Sequence, residues 1–240
     1  MGTKGCRMKA MILAAGRGER MLTLSEATPK PLLKIRGHRL IEHRIFALKK
    51  AGIHEIVINL FYLGKQIADY LGDGTRYGVT ITYSWEKEKL DVGGGIIHAL
   101  PLLGGKPFLL TSADIDTDFP YETLKLPASS LAHLVLTDNP DHHPEGDFYL
   151  HDHLISFEPS DDKLTYMNIA LFDPALFASF EEGQRSFLDC LKPAIAHHQI
   201  SAEYYDGYWL NIDTPARLEL ANVKKQLTPH PCEDGSPKKE

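Results

Sequence analysis

The sequence predicts an α/β fold in a single domain: a mixed, mainly parallel sheet flanked by helices on both faces. Three observations predict it. Short continuous apolar runs recur through the first half, each ended by glycine or a polar residue, as strands buried on both faces require. Stretches with helical spacing of apolar residues separate them, and that alternation implies right-handed crossovers onto a parallel sheet. A hairpin-like stretch in the less regular second half adds antiparallel pairing. Neither an internal repeat nor a Gly/Ser linker divides the 240 residues, so one domain with an elaborated second half is the economical reading.

The elements follow in order. "AMILAA" (residues 10–15) reads as a buried strand ended by Gly16. In "RLIEHRIFALKKAG", Ile41, Ile45 and Leu48 share one face of an amphipathic helix; Lys49, Lys50 and Gly52 close it, as the helix dipole and a left-handed cap favour. "EIVINL" is a second strand, "LGKQIADYLG" a short helix, and "VTITYSW" a third strand. "GGGIIHALPLLG" suggests a helix entered through glycines, and "FLLTSAD" a buried strand ending at Asp114. "AHLVLT" is a strand, "DFYLHDHLISFE" a hairpin, and "LTYMNIALFDPALF" a strand and turn. "SFLDCLKPAIAHH" is helical, with a kink or break expected at Pro193. "TPARLELANVKKQL" is a helix with Thr214 at the N-cap and Pro215 at its first position.

Composition narrows the function. A net charge of -6 argues against nucleic acid as a partner, since phosphate-backbone binding favours a basic surface. No apolar run approaches the roughly 18 residues of a membrane span. "MGTKGCRMKA" lacks the apolar core of a secretory signal, and residues 1–7 read as a tail before Met8. The polar, Pro-containing residues 228–240 read as a second tail, and disorder is expected in both. Cys6, Cys190 and Cys232 lie far apart and are odd in number, which fits a reducing cytoplasm better than a disulfide framework. The pairs His142-His143 and His197-His198 lack zinc-site spacing and read as solvated surface.

The chemistry is expected at the carboxyl ends of the strands, where open parallel sheets bind ligands. Three features fall there. The first is the loop "LAAGRGERMLTLSEATPKPLL" (residues 13–33). It fits neither the P-loop pattern nor the dinucleotide fingerprint, because Met21 stands where the third glycine belongs. Gly16 and Gly18 let backbone N–H groups approach an anion, with Arg17, Arg20 and Lys30 in the same loop to neutralise it. Pro29 and Pro31 stiffen the segment carrying Lys30, which lowers the entropy lost on gripping a phosphate. A plain turn is the alternative. The second feature is Gly93, Gly94 and Gly95, either a helix entrance or a close approach to a flat ligand. The third is Asp114, which ends an apolar strand and suits a magnesium ion bridging to substrate phosphates; Asp116 is a weaker candidate.

Together these residues resemble the sugar-1-phosphate nucleotidyltransferases. "MILAAGRGERM…TPKPLL", "LDVGGG", an Asp closing an apolar strand, and "WLNIDTPARL" come in that family's order, over residues 8–227. The resemblance implies a Rossmann-like sheet of the nucleotide-diphospho-sugar transferase type. Its nucleotide-binding half would cover about residues 8–120 and its sugar-binding half about 121–227. It implies Ala14, Ala15, Gly16, Gly18 and Arg20 around the nucleotide phosphates, Lys30 at the reacting centre, and Glu86, Gly93 and Gly94 at the base. Asp147, Asn168 and Trp209 would shape the sugar pocket. It implies Mg2+ on Asp114, with Asn211 as the second ligand and Asp213 as the alternative. The substrates would be a nucleoside triphosphate and a sugar 1-phosphate, handled in the cytoplasm by a monomer or weak homodimer.

The chain departs from that family's pattern at identifiable points. Ser112-Ala113-Asp114 stands for the usual Asn-Gly-Asp, Asn211 for the usual second metal-binding Asp, Asp213 for a glycine, and Asn168 for a glycine in the sugar-contacting turn. Within the family, "EIVIN", "LGDGTRYGV", "YSWE" and "GGGIIHALPLLG" look most like a uridylyl-transferring branch that serves cell-wall sugar recycling. Guanylyl or thymidylyl transfer to mannose, heptose or glucose 1-phosphate is the alternative. A nucleotide- or sugar-binding protein that has lost catalysis is the rival of another class.

Overall fold

The computed structural model describes residues 8–21, 24–159 and 163–223. The chain begins with β1 (Lys9–Leu13), followed by the short α1 (Leu24–Ala27), the ribbon β2 (Lys34–Ile35) and β3 (His38–Arg39), and α2 (Leu40–Lys50). Next come β4 (Glu55–Leu60), α3 (Gly64–Leu71), β5 (Thr80–Trp85), α4 (Asp91–Leu103) and β6 (Phe108–Ser112). The second half holds β7 (Ile115–Thr117), β8 (Ala132–Thr137), β9 (Tyr149–His151), β10 (Leu154–Ser156) and β11 (Thr165–Phe172). It ends with α5 (Phe187–Ala196), β12 (Ile200–Tyr204), β13 (Trp209–Asn211) and α6 (Pro215–Val223).

Nine strands form one mixed sheet in the order β5-β4-β1-β6-β11-β8-β12-β10-β9. β5, β4, β1 and β6 are mutually parallel; β11 runs against β6 and β8, and β10 against β12 and β9. The alternation of β1 explains its depth. Ala10 and Ile12 enter the core on one face and Met11 the core on the other. Both faces are covered, so both periods of the strand are apolar. From β1 the chain builds outward through β4 and β5, then returns to the opposite side of β1 as β6. The carboxyl ends of β1 and β6 therefore flank a topological switch point, the place where α/β sheets bind ligands.

Local chemistry explains the joints. The β9–β10 hairpin turns through Asp152 and His153, both at positive φ, as a two-residue turn matched to strand twist requires. Asn168 (φ 58°) sits where the β11–β8 register shifts, and asparagine is among the few side chains that accept the left-handed region. Thr214 caps α6 by accepting from Arg217 N, with Pro215 at the first helical position, as expected.

Two helix expectations are corrected. The glycines do not precede α4; they lie inside its first turns, because the helix already starts at Asp91. The expected break at Pro193 is absent: α5 continues through it. The bond Pro193 cannot make belongs to the carbonyl of Asp189 in the first turn, where Asp189 is exposed to water. The two short ribbons, β2 with β3 and β7 with β13, were not expected from sequence pattern. Both expected tails lie outside the described residues.

No helix among the described residues is long and apolar enough to cross a membrane. One buried group makes stability depend on pH. His43 of α2 is 5% exposed, with Nε2 3.1 Å from the Ile35 carbonyl. Burial pushes its imidazole down to about 4, the carbonyl contact opposes this, and the charge of Arg44 adds to the fall. The unfolded chain therefore binds a proton that the folded chain refuses. Stability is complete above the unfolded value and declines as pH falls through the window between about 6.5 and about 4. Urea denaturation at pH 7 and pH 5 should differ by about 2 kcal/mol from this residue, and His43→Gln should lose most of that difference.

Candidate active site

At the switch point, three loops converge on a cavity of about 770 Å3. The end of β1 is zipped to the end of β6 by Ala113 N donating to Leu13 O (3.0 Å). Ala14 N instead donates to the side chain of Asn59 on β4 (2.9 Å). The loop then turns at Gly18, which needs both its freedoms. Its φ is +66°, and a Cβ there would lie 3.2 Å from Lys30 Cβ. Met21 N and Ser25 Oγ both donate to Gly18 O, so the turn is held from two sides.

That turn packs against the segment it must present. Pro29 holds extended backbone, and Lys30 opens a 3-10 turn behind it. The Lys30 side chain is 9% exposed, and its Nζ lies 2.5 Å from Asp114 Oδ2. Ser112 Oγ donates to the other carboxylate oxygen. Burial pushes the Asp114 carboxyl up, but the Lys30 charge and these hydrogen bonds outweigh it and hold it below the usual carboxylate value. Asp114 is thus an anion at neutral pH.

The second half enters through β13. It pairs antiparallel with β7, setting Asn211 opposite Ile115, and Ile212 N donates to Asp114 O (2.8 Å). Asn211 and Asp213 are thereby delivered to the cavity beside Asp114. Asn211 Oδ1 is buried without a hydrogen-bond partner. Asp213 is differently placed. Its Oδ1 accepts from Arg217, and its Oδ2 lies 2.5 Å from Arg20 Nη1. That second contact is an ion pair without hydrogen-bond alignment, since Oδ2 also counts among the buried oxygens lacking a partner.

The cavity wall gathers Ala14, Ala15, Gly16, Gly18, Arg20, Lys30, Glu86, Asp114, Asn168, Asn211 and Asp213 from the sequence-derived candidates. Other candidates lie elsewhere. Gly93 and Gly94 do not line it: a Cβ on Gly93 would sit 2.6 Å from Ser186 O, and one on Gly94 2.2 Å from Gly183 O. Their close approach is to the backbone ahead of α5, reinforced by Gly94 N donating to Arg185 O (3.1 Å). Asp147 accepts from Tyr166 N (2.8 Å) and contacts His143 Nε2 (3.0 Å), fixing a loop outside the cavity. Trp209 donates from Nε1 to Met167 O (3.0 Å) and packs against the core. Asp116, the weaker metal candidate, is taken by a bidentate pair with Arg36 (2.7 and 2.8 Å) and by Tyr208.

The comparisons with known proteins come to the same place. The family description "Nucleotidyl transferase" matches residues 9–148. A Neisseria meningitidis serogroup B protein, the N-acetylmuramate alpha-1-phosphate uridylyltransferase, is 45% identical over 90% of this chain and 97% of its own. The chain belongs to the nucleotidyl transferase family. A Caulobacter vibrioides protein of the same name is 28% identical over 90% of this chain and 96% of its own. Two solved structures share the fold of this nucleotidyltransferase. HddC from Yersinia pseudotuberculosis, complexed with GMP-PN, has a TM-score of 0.75 at 21% identity, covering 90% of this chain and 98% of its own. The inositol-1-phosphate CTP transferase from T. maritima has a TM-score of 0.72 at 18% identity, covering 90% and 96%.

Asn59 and Phe187 are among the cavity residues of this nucleotidyltransferase that went unread in the sequence. Asn59 spans Ala14 N and Glu86: its Oδ1 accepts from the first and its Nδ2 donates to Glu86 Oε1 (2.7 Å). The signal was available, since a polar residue near the end of "EIVINL" repeats the pattern that marked Asp114. Phe187, the first residue of α5, stacks on Tyr166 at 5.4 Å and closes the second-half wall. No motif announced it. Glu86 is 8% exposed and burial pushes its carboxyl up, against the Asn59 hydrogen bond.

The donor set fits a hard divalent cation. Asp114 supplies a carboxylate and Asn211 an amide oxygen that no protein donor satisfies, both facing one cavity. Oxygen donors that leave room for water and substrate phosphates are what magnesium takes.

Proposed function

We propose that this nucleotidyltransferase transfers a uridylyl group from UTP to N-acetylmuramate 1-phosphate, releasing pyrophosphate, as a step in cell-wall sugar recycling in the cytoplasm. The observation that carries the reaction is the 2.5 Å pair of Lys30 and Asp114, which joins the cation of the glycine loop to the acid at the end of β6. The near full-length similarity to the Neisseria uridylyltransferase supports the choice of substrates.

In this reading a phosphate oxygen of the sugar 1-phosphate attacks the α-phosphorus of the triphosphate, and pyrophosphate leaves. A phosphate monoester is already an anionic nucleophile, so no side chain needs to be activated to attack. The protein's task is to hold two polyanions in line and to cancel charge as it grows on the bridging oxygens. Lys30 faces the α-phosphate, and Arg20 with the loop amides of Gly16 and Gly18 faces the leaving pyrophosphate. Asp114 and Asn211 would hold Mg2+, which supplies Lewis-acid neutralisation of phosphate charge when bound. Glu86, Gly93 and Gly94 serve the base end, the glycines by letting α4 lie close. Asn168, Asp147 and Trp209 serve the sugar end, the last two by fixing the loops behind it. The protein acts as a monomer or weak homodimer, without nucleic acid or membrane.

The test is pyrophosphate release across four nucleoside triphosphates and a panel of sugar 1-phosphates with magnesium. Release is expected with UTP and N-acetylmuramate 1-phosphate together. Release only with GTP and mannose or heptose phosphate would move the assignment to guanylyl transfer. Tight triphosphate binding with no release from any pair would make the chain a binding protein.

A further inference from the structure

Asp213 is 3% exposed, yet each of its oxygens meets an arginine from a different part of the fold. Arg20 rides on the loop after β1, whereas Arg217 belongs to α6. The two arginines differ in freedom: the Arg217 side chain is 17% exposed and the Arg20 side chain 71%. Packing fixes Asp213 and Arg217, so Arg20 is the member of the trio that faces a ligand. Two arginines and one acid leave a net positive charge at the rim, which suits a polyanion. The contact with Asp213 is made by one Arg20 nitrogen, Nη1, and a guanidinium carries five N–H donors in a rigid fork.

We propose that Asp213, braced by Arg217, is a positioning residue that holds Arg20 over the cavity so that its fork meets triphosphate oxygens already ordered. An exposed arginine gives up rotamer freedom when it grips a phosphate, and an anchoring carboxylate takes up that cost before the ligand arrives. The proposal rests on the nucleotidyl-transfer reading of the cavity. It assigns the acid at 213 a task separate from metal binding, which the unpartnered Asn211 oxygen suits better.

The test is a double-mutant cycle on the full chain with Asp213→Asn, Arg20→Ala and the pair. Asparagine keeps the shape but offers one acceptor to two guanidinium groups. Asp213→Asn should lower kcat/KM about tenfold, and should cost nothing further once Arg20 is alanine. The magnesium concentration giving half the maximal rate should not move. Additive losses, a shifted magnesium midpoint, or wild-type kcat/KM would each overturn the proposal.

Calorimetric binding of a non-hydrolysable triphosphate without metal gives an arm independent of turnover. Removing a negative charge from a polyanion site should by itself tighten binding. Loss of positioning predicts the opposite sign, about threefold weaker, so tighter binding overturns the proposal. If thermal melting shows Asp213→Asn unfolded, Arg20→Lys decides. One ammonium cannot divide itself between Asp213 and phosphate as a fork can, so a tenfold loss of the order just given is expected, and full activity is the contrary result. A wild type that binds triphosphate but releases no pyrophosphate would sink the transfer reading while leaving the calorimetric arm to decide the role of Asp213.

Discussion

Lys30→Met loses about a hundred- to thousandfold in turnover, roughly 2.7–4 kcal/mol of transition-state stabilisation, with the fold retained. The magnitude follows from where the ammonium sits. Its side chain is 9% exposed and its Nζ lies 2.5 Å from Asp114, so the charge acts at short range through little water. Charge on the α-phosphate oxygens is greatest in the transition state, so the loss should fall on kcat more than on KM. Methionine keeps the apolar stem that packs beside Gly18, where Lys30 Cβ and Cδ lie 3.2 and 3.5 Å from the point a Gly18 Cβ would occupy. Pyrophosphate release under saturating substrates measures the effect, and thermal melting checks the fold. A Lys30→Met protein with wild-type turnover would remove the central residue of the mechanism.

The reach of sequence reading differed sharply between the two halves. β1, β4 and β6 were legible because each is buried on both faces and carries a short apolar run, whereas the edge strand β5 was legible from its alternating β-branched and aromatic residues. The loop residues at their ends were legible too. Two glycines beside Arg17, Arg20 and Lys30 at a strand end drew the ligand reading, because strand ends are where α/β sheets place ligands. What could not be read was partnership across distance. Gly93 and Gly94 were ambiguous between ligand contact and close packing, because the residues that crowd them, Gly183 to Ser186 in sequence, carry no periodic signal. The same holds for Asp116. Only the fold brings Arg36 to it through the β2–β3 ribbon, two strands of two residues each that no pattern of that length can announce.

Position 168 shows the intermediate case. Asparagine where the family pattern has glycine looks like a loss when read as a letter. In the fold the residue takes φ +58° at a register shift of β11, a backbone state that asparagine shares with glycine more readily than other residues do. The positive-φ backbone at that register shift is therefore kept, and Asn168 joins the cavity wall.

Asp114→Asn should cost at least as much as the lysine variant, about a thousandfold, and should show a second signature that the lysine variant lacks. In the proposed ion site the Asp114 carboxylate is the charged donor and Asn211 the neutral one, so its loss leaves two neutral amides to hold a divalent cation. Apparent magnesium affinity should therefore fall along with turnover, and raising the metal concentration should recover part of the rate. The same change strips Lys30 of its partner, freeing a buried ammonium to bind anions. Metal-free triphosphate affinity should rise in Asp114→Asn while metal-dependent turnover collapses. Titration of triphosphate with chelator present, beside a magnesium titration of the rate, reads both arms. If the variant binds triphosphate more weakly without metal, and its magnesium requirement is unchanged, then Asp114 neither restrains Lys30 nor holds the ion, and the pairing at the switch point is structural alone.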